Sequence, residues 1–559
     1  MTFRVLIALS LTTACGAGDA GSYDGDFGSP SADAGAGGSA GCLSSNECPT
    51  GWTCSEFGQC EAPTTPPTGD GGVPPPEVEY AIGAPISSGR YIYVAMTEQD
   101  QLARIDGQTL AVRSTAVGAS PRVVRTIPGS DGAVVLDSIN GTAHVVRPAG
   151  DGDTVKVLAT LPNLNRVDID PSGRYAVVWF DLARHLEDNS IGGVGSFQDV
   201  TVIALAPGVE RAVNLTVGFR PREVQFDAAG TRAYVITQDG VSVVDLGYAT
   251  TNGPAIVPPI PVADPLVDPE DIEVNVVATG TYAAVRQAGE SALRIVDVGG
   301  LEPGRTWLIP LASPATDIDL APDGSRVYAV ERAARQLAIV DVPADALDPA
   351  GVESIDLATA SVGSFVLSAD GRRGLMFTNA TSDERITLIK LDEAGFPQQT
   401  WPLKKSVRAA GLAPNGTSAI VLHAKAFGDP ATASSVDEYI DRSYGYSLLD
   451  LGTGFAKLQV TPVDPGAFAY APDGSKAYVA LDGGDAVTAT RALQTVTTTT
   501  GVVISTALGS PPAAVGILPT VGKAFTAQRH PLGRVTFVDI LSSEVRTVTG
   551  FDLNSQIVE

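Results

Sequence analysis

Short apolar runs separated by turn residues recur along most of the chain. In LAPDGSRVYAV (Leu320–Val330) an apolar run meets a Pro-Asp-Gly-Ser break and resumes in residues rich in Tyr, Val and Ala; YAPDGSKAYVA (Tyr470–Ala480) repeats the arrangement. Runs of β-branched and aromatic residues joined by Asp-Gly or Asn-Gly are strand–turn–strand signals, because such turns favour positive φ. The same break returns at Gly89, Gly132, Gly173, Gly230, Gly280, Gly324, Gly371, Gly416, Gly474 and Gly522, at an average spacing of about 48 residues. A third run follows each pair, as in VSVVDL, LRIVDV, LAIVDV, YSLLDL and VTFVDI, and then a fourth. Helical periodicity is almost absent.

One four-stranded sheet cannot bury both of its faces, whereas stacking such sheets around an axis buries them and leaves only short edges. The repeats therefore predict an all-β chain. Its main body, residues 80–559, should be a β-propeller of eight to ten four-stranded antiparallel blades in one large ring. The units resemble the YVTN-type β-propeller repeats of bacterial surface and periplasmic proteins, a family that also contains lactonase-like and quinoprotein-like propellers. The resemblance implies the fold and says little of activity, since propellers host many unrelated functions. Lactonase-like members use scattered Arg, His, Glu or Asp side chains at the channel mouth. None can be matched here residue by residue, so no catalytic residue is assigned.

The region before residue 80 differs in kind. MTFRVLIALSLTTAC has Arg4, a short apolar run and then small residues, the pattern of an export signal over residues 1–14. TTAC resembles the lipobox of bacterial lipoproteins, which implies cleavage before Cys15 and lipid modification of it. Thr12 stands where that family usually has an aliphatic residue. Residues 15–41, rich in Gly, Ala, Ser and Asp, read as a disordered tether; the G-x-S-x-G match at Gly37–Gly41 lies inside it, without the strand and helix that a nucleophile elbow needs. Cys42, Cys48, Cys54 and Cys60 follow at even spacing in a small module, residues 42–60. An even, close set in an exported chain reads as a disulfide framework with three possible connectivities, and no pair has the two-to-four-residue separation zinc sites prefer. The module resembles a fragment of an EGF-like domain. Residues 61–79 are a Pro-rich linker.

Composition sharpens the function classes. The 559 residues carry a net charge of −26, with a pI near 4.5, which repels nucleic acid. There is no apolar stretch long enough for a transmembrane helix. Localisation is thus expected to be extracytoplasmic, at the outer membrane, cell surface or periplasm, held to the membrane by a lipid anchor.

Strand parity locates the candidate binding face. Connections between second and third strands, and from a fourth strand to the next blade, emerge on one face. Unit three has a long insertion there (Asp181–Asp199), unit eight another (Lys425–Gly445), and Gly247–Asp271 ends there too. Long loops on a rigid scaffold are where binding usually resides. The candidates are His185, Glu187, Asp188, Asp429, Asp437, Glu438, Tyr439, Asp441, Arg442 and Tyr444. No metal site is assigned; calcium is the one ion that these carboxylates would suit, and no D-x-D-x-D-G run supports it. His144 and His423 lie within predicted strands and read as structural. No haem or copper motif occurs, and no cofactor is expected. Two function classes remain. One is a lipid-anchored, non-catalytic binding or scaffold protein with a protein or carbohydrate partner. The alternative is a propeller enzyme, lactonase-like hydrolase or oxidoreductase, which a carboxylate–His or carboxylate–Arg cluster at the channel mouth would favour.

Overall fold

The computed structural model describes residues 87–550 except 97–98, 120, 122, 151, 188–192, 254, 265, 358–361, 484–489 and 531–532. It also gives the backbone of Thr53–Cys54, Cys60–Glu61 and Ile557–Val558. Cys15, Cys42, Cys48 and Asp188 lie outside the described residues. The chain divides into two units, Cys15–Pro76 and one holding Glu77–Glu559. In the first, Thr53–Cys54 pairs antiparallel with Cys60–Glu61, and the register sets Cys54 opposite Cys60.

The second unit is a ten-bladed β-propeller. Ten antiparallel sheets follow one another along the chain, each with its strands in sequential order. Blade 6 is representative, with Asp317–Leu320, Arg326–Glu331, Gln336–Asp341 and Glu353–Asp356 running from first to fourth strand. Its second and third strands are mostly buried and its fourth is exposed, as expected from the axis outward. Blades 1 and 4 show three strands, and blade 10 adds Ile557–Val558 as a fifth outside Val545–Thr549.

The recurring APDGS motif is a capped four-residue connection rather than a two-residue hairpin turn. Gly324 N–H donates to Ala321 O (2.8 Å), closing a type I turn, and Gly324 follows at φ +72°. The Asp323 carboxylate accepts from Ser325 N (2.9 Å) and Ser325 Oγ (2.7 Å), and Asp473 does the same for Ser475. Gly89 and Gly132 depart from the expectation because neither has positive φ. At Gly89 the constraint is space, since a Cβ there would lie 2.3 Å from Thr520 Oγ1 of blade 10. The recurrent Val-Asp ends cap the next connection: Asp450 Oδ1 accepts from Gly452 N and Thr453 N, and Asp539 Oδ1 from Leu541 N and Ser542 N.

One apolar cluster lies at each blade–blade joint. Blades 5 and 6 share Leu293, Ile295, Val327 and Ala329; blades 7 and 8 share Leu375, Leu388, Val421 and Leu449. The tenth cluster closes the ring: Ile92, Met96 and Ile105 of blade 1 pack on Leu518, Phe525 and Phe537 of blade 10. Hydrogen bonds at this joint run from Thr520 N to Gly89 O (3.0 Å) and from Lys523 Nζ to Gly107 O (2.7 Å). No strand is shared across it among the described residues. The single ring is thereby established, with ten blades at the upper end of the range the repeats allowed.

Blade 4 shows why part of one long connection was misread as loop. Val241 and Ile260 exchange both backbone hydrogen bonds (2.9 and 2.8 Å), and Ser242 Oγ donates to Val257 O. Val257–Ile260 occupy the place of the fourth strand, while Ile256 bridges in parallel to Thr216 of blade 3. Pro258, Pro259 and Pro261 lack the N–H groups that a longer ladder needs, which the outermost position tolerates.

Candidate functional site

The insertions after the second strands of blades 3 and 8 rise from one face, as parity requires. In a ten-membered ring these two blades are five steps apart in either direction, so the insertions stand on opposite sides of the channel mouth. The candidate residues therefore do not form one cluster; they divide into two groups across the ring.

In blade 3, Asp181 opens the insertion. Its carboxylate accepts from Arg184 N (3.1 Å) and pairs with Arg166 Nε (3.1 Å), while its backbone is clamped by the Asn165 amide (2.6 and 2.8 Å). The short helix Leu182–Glu187 follows. His185 packs its ring on Phe180 at 5.4 Å, and Phe180 meets Phe197 edge-on at 5.7 Å. His185 is thus a packing residue at the insertion's base. Glu187 is placed at the helix end by its backbone alone.

In blade 8 the insertion carries the helix Val436–Arg442. Ser435 Oγ caps Glu438 N (3.1 Å), and Glu438 in turn accepts from Ser434 Oγ (2.6 Å) and pairs with Arg442 four residues on. Asp429 Oδ1 accepts from Ala431 N (2.8 Å), and Lys425 Nζ sits 4.9 Å from the Tyr444 ring centroid. Several charged candidates thus hold the insertion together. The helix buries none of its own residues. What fixes it is Lys405, at the start of blade 8's first strand and only 1% exposed. Its ammonium donates to Ile440 O (2.7 Å) and Asp441 O (2.8 Å), the carbonyls at the helix C-terminus, where a cation is favoured. Burial pulls the Lys405 ammonium below its ordinary range, against the attraction of Asp441 and Glu384. The outward residues Phe427, Val436 and Tyr439 are left exposed.

Sequence reasoning missed Lys405; its only trace is a lysine just before an apolar strand. It also missed a polar cluster on the inner wall between blades 2 and 3. There Trp179 Nε1 donates to Asp168 Oδ2 (2.6 Å), Arg166 lies over the Trp179 ring at 5.9 Å, and half-buried Arg125 approaches from blade 2. Burial pushes the Asp168 carboxyl up, against the pull of Arg125, Trp179 and Arg166. The alternation of Arg166 and Asp168 in a short strand is its only trace in the sequence, and it does not reveal Arg125 or Trp179 as partners.

His423 has the expected structural character. Its Nε2 is 2.7 Å from Ser447 Oγ and its Nδ1 3.2 Å from Ser406 O, with both side chains buried. The Ser–His pair has no opening to substrate, and burial pushes the imidazole down to about 4. His144 Nε2 lies 3.1 Å from Thr142 Oγ1 in blade 2. Among the described residues no group of three or more His, Cys, Asp or Glu is arranged to hold a metal ion. A cleft of about 150 Å³ lies between blades 4 and 5, bounded by Arg222, Ile236, Ile272 and Val274. That is well below the ~300 Å³ at which small-molecule sites usually begin.

No family model and no curated protein matches this chain. Among solved structures it is similar to a eukaryotic initiation factor, with 10% identity over 81% of this chain and 94% of that one and a TM-score of 0.45. It is likewise similar to a dihydro-heme d1 dehydrogenase in complex with DHE (14% identity, 69% and 75% covered, TM-score 0.40). A third is the hydrazine synthase of Kuenenia stuttgartiensis (13% identity, 48% and 76% covered, TM-score 0.31). Likeness at this level transfers no activity. The class defined by the chain's own sheets is the β-propeller.

Proposed function

We propose that this protein is an exported, lipid-anchored propeller that binds a protein partner with its insertion face and performs no catalysis. The observation that carries this reading is the blade-8 insertion. Val436 and Tyr439 of the helix, and Phe427 earlier in the same insertion, are presented to solvent, and buried Lys405 holds the helix from beneath. Aromatic and aliphatic side chains exposed on a rigid support suit a protein interface, because little ordering entropy remains to be lost on binding. The lipobox-like TTAC with Cys15 supports the anchor, and the repeats' resemblance to YVTN-type surface propellers supports the location. A disulfide between Cys54 and Cys60 fits their cross-strand register and belongs to the same exported setting.

The test places a photo-crosslinking residue at Phe427 or Tyr439, and at Val157 on blade 2's outer strand as a control, in the native host. A discrete adduct from the blade-8 positions alone supports the reading; its absence there counts against it. Intact mass of the mature chain checks acylation of Cys15.

The enzyme reading has one observation in its favour, the raised Asp168 carboxyl between Arg125 and Arg166. Asp168 is only 7% exposed and already bonded to Trp179, which suits a structural role in the wall. A hydrolytic or redox activity abolished by Asp168→Asn in a protein with unchanged melting would restore that reading.

A further inference from the structure

The face opposite the insertions carries a pattern of its own. Its inner turns are the glycine-containing connections between first and second strands, Asp-Gly or Asn-Gly in blades 2, 6, 7, 8 and 9. Its outer connections, between third and fourth strands, carry single exposed apolar side chains: Val209 in blade 3, Leu301 in 5, Leu347 in 6 and Leu541 in 10 within the loops, and Phe455 in 8 and Val502 in 9 where the fourth strand begins. Tyr248 fills the same position in blade 4, and half-buried Phe396 lies there in blade 7. Leu301 is 99% exposed and Leu541 93%, so neither contributes to its own blade's core. Scattered exposed apolar residues need no explanation. Their recurrence at one topological position, in blades 3–6 and 8–10 and on one face, does.

We infer that this face docks on a lipid bilayer surface, with the apolar tips entering the headgroup boundary. The argument rests on where the tips stand. They belong to the third-to-fourth-strand connections of one closed ring, so they lie around one rim of one face. Each is separated from the next by a blade, so no two build a compact patch. An ordinary protein interface of about 800 Å² per partner covers only a sector of such a rim. A planar apolar phase engages all of it at once. A second copy stacked face to face would also match the rim, but each copy carries a net charge of −26, so the two repel. The same net charge specifies the lipid: a zwitterionic surface accepts it and an anionic one repels it. Shallow insertion of apolar side chains with charged residues left in the headgroups is the usual mode of monotopic binding. This inference rests on the exported location proposed above, though not on acylation, since the tips act without an acyl chain.

The experiment uses the full-length chain with Cys15→Ser, so that no lipid anchor contributes, and phosphatidylcholine vesicles. Co-sedimentation is expected, with the bound fraction falling as phosphatidylglycerol is added. Leu301→Asp with Leu541→Asp should lower the vesicle partition coefficient tenfold or more, while Phe427→Ser with Tyr439→Ser on the other face should leave it within twofold. Unchanged melting curves show that the variants are folded. No vesicle binding by the parent chain overturns the inference, as does equal loss from both pairs of variants. Concentration-dependent dimerisation without vesicles, lost in the Leu301/Leu541 variant, replaces the membrane with a second copy. An acylated mature chain whose unacylated form ignores vesicles would refute this docking face and leave the anchor intact.

Discussion

Lys405→Met tests whether one buried ammonium holds the blade-8 insertion. The helix Val436–Arg442 has no fully buried residue, and its one inward apolar side chain, Ile440, is only half-buried, so core packing contributes little to keeping it in place. Removing the ammonium deletes two charge-assisted hydrogen bonds, each worth about 1.5–3 kcal/mol. Part of this is recovered because methionine needs no buried charge, whose effective cost is several kcal/mol. The two carbonyls also keep a backbone partner each: Ser443 N donates to Ile440 O (3.1 Å) and Ala426 N to Asp441 O (2.8 Å). A net loss of about 2 kcal/mol follows, or roughly a thirtyfold rise in the open population of the insertion. Hydrogen-exchange mass spectrometry should show that loss of protection in residues 436–443 and little change in the strands of blades 2–6. Exchange within threefold of the parent would refute the argument, and equal loss across the whole ring would show that Lys405 supports the core instead.

His423 should make the ring acid-sensitive. Its pKa is lowered from 6.5 to about 4 on folding, so between those values the unfolded chain binds a proton that the native state refuses. Stability therefore falls as pH drops from 6.5 towards 4, by ~3 kcal/mol when complete; His423→Gln should flatten that part of the denaturation profile relative to the parent. Gly324→Ala should cost more than Gly522→Ala. Both have positive φ, but a Cβ at Gly324 would lie 2.8 Å from Ala278 N, whereas one at Gly522 meets nothing within 4 Å; about 2 against about 1 kcal/mol is expected from urea titration. Arg104 and Asp153 form a buried pair (2.7 Å) between blades 1 and 2, reinforced by Thr115 Oγ1 on Asp153 (2.7 Å). Arg104→Met should cost about 3–5 kcal/mol by leaving the carboxylate unpaired, and the double variant with Asp153→Leu should recover much of it.

Period and turn chemistry made the architecture legible, because every blade solves the same burial problem with the same residues. The turns at Gly324 and Gly474 could be aligned by eye, and the structure gives their Asp and Ser a shared hydrogen-bonding task. Gly89 looked the same in sequence but is required by a neighbour 431 positions later, Thr520, which no local pattern reveals. The outer segment of blade 4 was hidden because prolines mask strand character at an edge. Parity placed both insertions on one face, yet the separation of His185 from Tyr439 follows only from closure into ten. Lys405 and Asp168 were illegible for a common reason: each owes its role to groups brought near by the fold, the helix end at Ile440 and Asp441 in one case and Arg125 with Trp179 in the other.

The joint between blades 10 and 1 has a mechanical consequence. Every other joint is crossed by the polypeptide, whereas among the described residues this one is held by side-chain packing and a few hydrogen bonds such as Lys523 to Gly107. A pull on the chain at Ser87, whose Oγ donates to Ile517 O of blade 10, enters the ring beside that seam. Tension and seam coincide, so under load the ring should part there first, like a clasp, while the nine chain-crossed joints still hold.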